Sequence, residues 1–248
     1  MHRINLVWLV LLLSACVMVQ DGPTQNEKAS KINVQLGIGY YQQGNLEQAN
    51  EKLLKALAQD PTSSQAHYAF AVLQNRFLNA EKTEYHFKKA IELNPNNSEA
   101  LTNYGAYLCN KGQVEEAESL FLRAVENPLY KSPELAYTNA AVCLLKADSK
   151  QTEKAKAYLM KALAARSNYT PALINMAEIT FDEHNYELSQ LYVDRFHLFG
   201  PPTSRSLWLN IQNEMNLNNQ SKAFELAEQL KNQFPESKEY QSWIELNQ

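Results

Sequence analysis

A spacing of 34 residues recurs along this chain almost from end to end, and it constrains the fold more than any single residue does. Ala56, Ala90 and Ala124 stand on that beat, as do Pro61 with Pro95 and Pro201 with Pro235. A repeat of this length is one helix-turn-helix unit. Such a unit cannot bury its apolar face alone, so stacked neighbours bury it jointly and leave a long concave surface. No window shows the period-two alternation of a strand. The chain reads as a binder.

Six units follow from the beat. They start near Ser30, Ser64, Ser98, Pro133, Thr170 and Ser204. Gly37, Ala71, Gly105, Ala141 and Ala177 recur at one position of the first helix, where the two helices of a unit approach closely. A larger side chain there would overpack, at a cost of roughly 1–3 kcal/mol. Tyr40, Phe87 and Phe121 fill the spaces opposite, and the unit-ending prolines stop the second helix. Unit three leaves early through Asn127-Pro128, and unit four needs about two extra residues around Ala147 to Thr152. The pattern resembles the tetratricopeptide repeat. The expected fold class is therefore all-α: a right-handed superhelical solenoid of six such repeats, with Lys238 to Leu246 as a capping helix.

The first residues belong to a different system. His2-Arg3 is followed by an apolar run, Ile4 to Leu13, broken only by Asn5. That run is too short to span a bilayer, which takes about 20 apolar residues, and suits a signal-peptide core. Leu13-Ser14-Ala15-Cys16 resembles the lipobox of bacterial lipoproteins, in which the cysteine is acylated and becomes the new N-terminus. The resemblance implies a signal peptide over residues 1–15, lipidation of Cys16 and, from Val17 after it, sorting to the periplasmic face of the bacterial outer membrane. Residues 16–29 read as a flexible tether, and residues 30–248 as the repeat domain.

Net charge is −4, with lysines and arginines scattered and no basic stripe, so nucleic acid is not an expected partner. His67, His86, His184 and His197 show no metal-ligand spacing, and no phosphate loop or nucleophile elbow is present. No cofactor, metal site or catalytic residue is assigned, and the chain is expected to be a monomer and not an enzyme. His67 falls at a first-helix position taken to face the inner surface. Cys109 and Cys143 lie in neighbouring first helices of units three and four, in a compartment that permits disulfides. A bridge between them is feasible. Two buried thiols are the alternative, since adjacent helix axes about 8–10 Å apart do not guarantee disulfide geometry.

In tetratricopeptide repeats, positions 2, 5, 9 and 12 of the first helix line the groove. Here they bring Val34, Ile38 and Tyr41 from unit one together with Tyr68 and Val72 from unit two. This apolar, aromatic surface reads either as a tight superhelix packing on itself or as a groove for an amphipathic or extended peptide. The carboxylate clamp of chaperone-binding repeat proteins is absent, because Val34, Ile38, Ala69, Glu99 and Asn103 stand where its lysines, arginine and asparagines would be.

Several segments resemble a narrower group. Asn103 to Cys109, Glu126-Asn127-Pro128-Leu129-Tyr130, Ser206-Leu207-Trp208-Leu209 and Asn232-Gln233-Phe234-Pro235 are similar to the type IV pilus biogenesis and stability lipoproteins, the PilF/PilW family. The likeness covers the chain beyond its leader. It implies a pilotin: a lipoprotein that binds subunits of the pilus secretin and promotes their outer-membrane localisation and multimerisation. An adaptor for another envelope complex, in β-barrel assembly or peptidoglycan-enzyme recruitment, would share the same lipid signal and repeats.

Overall fold

The computed structural model describes residues 22–246, and among them every regular element is helical. Six antiparallel hairpins follow one another. They are α1 (Gln25–Gln42) with α2 (Leu46–Gln59), α3 (Ser64–Arg76) with α4 (Ala80–Leu93), and α5 (Ser98–Asn110) with α6 (Val114–Glu126). After them come α7 (Pro133–Ala147) with α8 (Thr152–Ala165), α9 (Thr170–Asp182) with α10 (Tyr186–Phe199), and α11 (Ser204–Asn216) with α12 (Gln220–Gln233). A final helix, α13 (Lys238–Leu246), packs on α11 and α12. The expected all-α stack of tetratricopeptide units with a cap is what the chain forms.

The inner turn of each hairpin repeats in atomic detail. Gly44, Leu78, Gly112, His184 and Asn218 all have positive φ, between 58° and 78°, and stand at one repeat position. This left-handed residue turns the chain so that the next residue can cap the second helix. Asn45, Asn79 and Asn185 do so, each accepting a hydrogen bond from a first-turn amide. Leu78 and His184 hold this conformation without glycine's freedom. Unit four has no such residue; a 3-10 turn, Ser149–Gln151, takes up its extra length.

Packing explains the small-residue position. A Cβ on Gly37 would come within 2.6 Å of Leu53 Cγ, and one on Gly105 within 2.8 Å of Phe121 Cε1 and 3.1 Å of the Ala117 carbonyl. A second device accompanies it. The hydroxyls of Ser30, Ser64 and Ser98 donate to the carbonyls of Ala56, Ala90 and Ala124 at 2.8–3.0 Å, tying the first helix of each of units one to three to the end of its partner. Asn97, which caps α5, then donates to Ser64, and Asn127, which ends α6, donates to Ser98 and to the Asn96 carbonyl, the bonds to Ser64 and Asn96 linking neighbouring units.

Two expectations are corrected. The first helix begins at Gln25, so residues 25–29 are not tether. Thr24 and Glu27 form a reciprocal capping box that nucleates α1 a turn early. His67 does not face the inner surface. It is buried, with Nδ1 2.9 Å from His86 Nδ1 and Nε2 3.1 Å from the Pro61 carbonyl. A carbonyl only accepts, so His67 carries its proton on Nε2 and His86 donates from Nδ1. Burial lowers both pKa values, that of His86 to about 4.

Candidate functional site

The first helices of units one to three form one wall of connected hollows. A hollow of about 580 Å³ is bordered by Pro23, Glu27, Lys31, Val34, Ile38 and Asp60. Ile38 also borders the next hollow, of about 180 Å³, with Tyr41, Leu53, Tyr68 and Val72. Tyr41 and Val72 in turn border a third, of about 360 Å³, with Asn75, Arg76, Leu78, Asn103 and Tyr107. Shared walls make these one continuous groove. Its floor is aliphatic and aromatic, and its rim carries amides and charges.

Ile38, Tyr41, Tyr68 and Val72 are brought together as the repeat register anticipates, each partly exposed. Val34 is almost wholly buried. At 3% exposure it belongs to the core beside Leu53, Ala69 and Phe70 and only edges the first hollow. The reason is register: α1 and α2 close over most of it, and the next helical turn, at Ile38, opens to the groove more fully. The repeat therefore neither seals this wall by self-packing nor presents all five predicted side chains.

The aromatic hydroxyls are arranged as neutral hydrogen-bonding groups. Asn103 Nδ2 donates to Tyr68 Oη at 3.2 Å and to the Glu99 carbonyl at 2.9 Å. Burial, with Glu99, Tyr130 and Tyr41 nearby, pushes the Tyr68 phenol up to about 12. It keeps its proton at any physiological pH. Tyr107 donates to Glu84, which also takes a 2.5 Å hydrogen bond from Lys111 and is held below the usual carboxylate range by it. The groove thus offers apolar contact, amides and phenol hydroxyls. Among the described residues no cluster of three or more His, Cys, Asp or Glu is placed to hold a metal ion.

The wall continues into a fourth hollow, where Ala106 and Asn110 are joined by Cys109, Asn139, Val142 and Lys146. Here the structure chooses between the two cysteine alternatives. Cys109 and Cys143 form a disulfide with Cα atoms 5.7 Å apart, tying α5 to α7 beside the groove. Glu27, Arg76 and Leu78 are groove residues that sequence reasoning missed. Glu27 was legible through the Thr24-x-x-Glu27 capping signature, whereas Arg76 and Leu78 enter through the turn geometry of unit two. The predicted lipidation site, Cys16, lies outside the described residues.

With this geometry in hand, likeness to known proteins is specific. The tetratricopeptide repeat family matches residues 86–119. The type IV pilus assembly protein PilF of Pseudomonas aeruginosa is 32% identical over 247 residues, covering 97% of each chain. The solved structure of Pseudomonas aeruginosa PilF superposes with a TM-score of 0.82 over 89% of this chain and 99% of that one. The crystal structure of PilW, a widely conserved type IV pilus biogenesis factor, gives a TM-score of 0.77 at 27% identity, over 87% of this chain and 98% of that one. A shared stack with its cap over nearly the full length of both chains, and not one matching repeat, is what places the protein: it belongs to the PilF/PilW family of tetratricopeptide-repeat proteins of type IV pilus biogenesis.

Proposed function

We propose that this chain is a lipid-anchored outer-membrane adaptor that holds a subunit of the pilus secretin in the groove of units one to three. The anchor is Cys16, and lipid transport carries the bound pair to the outer membrane, where held subunits multimerise. The observation that carries this reading is the continuous apolar wall through Ile38, Tyr41, Tyr68 and Val72, open to solvent in a stack otherwise well packed. Burying about 100 Å² of apolar side chain there would contribute about 2.5 kcal/mol. The Tyr68 hydroxyl, accepting from Asn103, keeps its own hydrogen for a peptide carbonyl. Such a site suits a segment that supplies one or two apolar anchors and an open backbone.

The test is capture of the secretin from detergent-solubilised outer membrane. Wild type should retain it, and the Ile38→Ser/Val72→Ser variant should lose it at unchanged helical content. Retention by that variant would remove the groove from the mechanism. Separately, Cys16→Ser should yield a soluble periplasmic protein, and persistent membrane fractionation of that variant would refute the anchor.

A further inference from the structure

Among the described residues, one face of the stack is left apolar and uncovered. In interior units, the third and seventh residues of the first helix lie under the preceding unit: Ala66 and Phe70 are 0% and 3% exposed, and Ala100 and Tyr104 are 0% and 3%. Units four to six bury the register equivalents: Ala136 and Ala140, Ala172 and Met176, and Ser206 and Asn210. In unit one the corresponding residues are Ile32 at 57% and Leu36 at 44%. Gly39, one turn further on the same stripe, faces open space, since a Cβ there would meet nothing within 4 Å. The opposite end of the stack solves this problem with α13, whose Trp243 is 9% exposed. A terminal repeat ordinarily carries a polar outer face. This one does not.

We propose that this end of the stack, through Ile32 and Leu36, rests on the lipid surface to which the chain is tethered. The inference depends on the anchor at Cys16. Only eight residues lie between Cys16 and the start of α1 at Gln25, at most about 30 Å of extended chain. Ile32 lies about 11 Å further along the helix. The stripe therefore stays within reach of the bilayer whatever the tilt of the stack. Charge agrees with this placement. Lys28, one turn before Ile32, and Lys31 beside it are exposed and make no ion pair among the described residues. Glu27, the acid of the same turn, is engaged by the Thr24 amide. Two cations can thus meet anionic headgroups while the aliphatic pair enters the interface below them. Lys28 and Lys31 also border the first hollow, so the groove opens at headgroup level, at its membrane end.

The experiment uses the full lipidated chain in phosphatidylethanolamine–phosphatidylglycerol vesicles with brominated acyl chains, which quench nearby tryptophan. Ile32→Trp is compared with Leu198→Trp, an exposed site on α10, against the shared background of Trp208 and Trp243. The emission added by I32W should fall at least twofold in brominated relative to plain vesicles, and that added by L198W should not change. If the chain is released from vesicles only by detergent and the I32W signal is still unquenched, the inference falls while the anchor stands. A protein partner or a second copy then covers the face. A chain that does not sediment with vesicles at all overturns the anchor, and this inference with it.

Discussion

Units one to three and units five and six are built on one frame, yet their inner walls differ. In the first region the hollows share Ile38, Tyr41 and Val72 and run together. In the second, an Arg205–Glu178 ion pair bridges α9 and α11, and Arg205 Nη2 also donates to Asn175 Oδ1 at 3.4 Å. A hollow of about 240 Å³ between Trp208, Met215 and Trp243 borders the cap and shares no residue with the others. The repeat positions that pack one helix on the next are alike in both regions. What differs is the solvent-open side chains at the groove positions, Ile38, Tyr41, Tyr68 and Val72 in the first region; Val34, at such a position, belongs to the frame. Fold and binding surface are thus written in separate sets of residues, and the Cys109–Cys143 disulfide lies where one region gives way to the other.

The largest expected effect tests the second region alone. Trp243→Ala strips the cap from α11 and α12 and should destabilise those units by about 3–5 kcal/mol. Hydrogen exchange would show the loss concentrated in α11 to α13, with α1 to α4 still protected. Uniform loss would mean that the stack melts as one body rather than by neighbours. Next, Cys109→Ser/Cys143→Ser opens a link between residues 34 apart and should cost roughly 2–4 kcal/mol in chemical denaturation. If the two regions are coupled through this seam, the transition should broaden or split.

Ile38→Ser/Val72→Ser should weaken partner binding at least tenfold, about 1.4 kcal/mol, while Glu178→Gln/Arg205→Gln leaves it unchanged. Equal losses in a binding titration would abolish the distinction between the two walls. The smallest effect concerns unit two. His86 is held near 4 in the fold against about 6.5 unfolded, so its neutral pairing with His67 is fully present above pH 6.5. Stability should decline between about pH 6.5 and 4 and level off below, lowering the melting temperature by a few degrees. His86→Gln should flatten that slope, and an unchanged slope would place the acid sensitivity elsewhere.

Much of this was legible in the residues. The alanine and proline beat located every hairpin, and the longer turn of unit four was visible as a break in it. The groove was legible only in part, because register assigns a helix face to within about a quarter-turn. Val34 and His67 stood near the inner face by count, yet both are enclosed. The serine-to-carbonyl ties of Ser30, Ser64 and Ser98 were in plain view and were read as unit boundaries rather than as contacts.

Periodicity and local capping chemistry by themselves determined the helices, their pairing and their order, since a helical hairpin with one apolar face has no stable option except to stack on its neighbour. Only the tertiary structure decided which of those apolar side chains remained at a surface. That depends on how closely consecutive helices approach, on the turn residues that set the approach, and on which end of the stack has another helix to cover it. Ile32 and Leu36 are therefore exposed where Ala66 and Phe70, on the same beat, are buried.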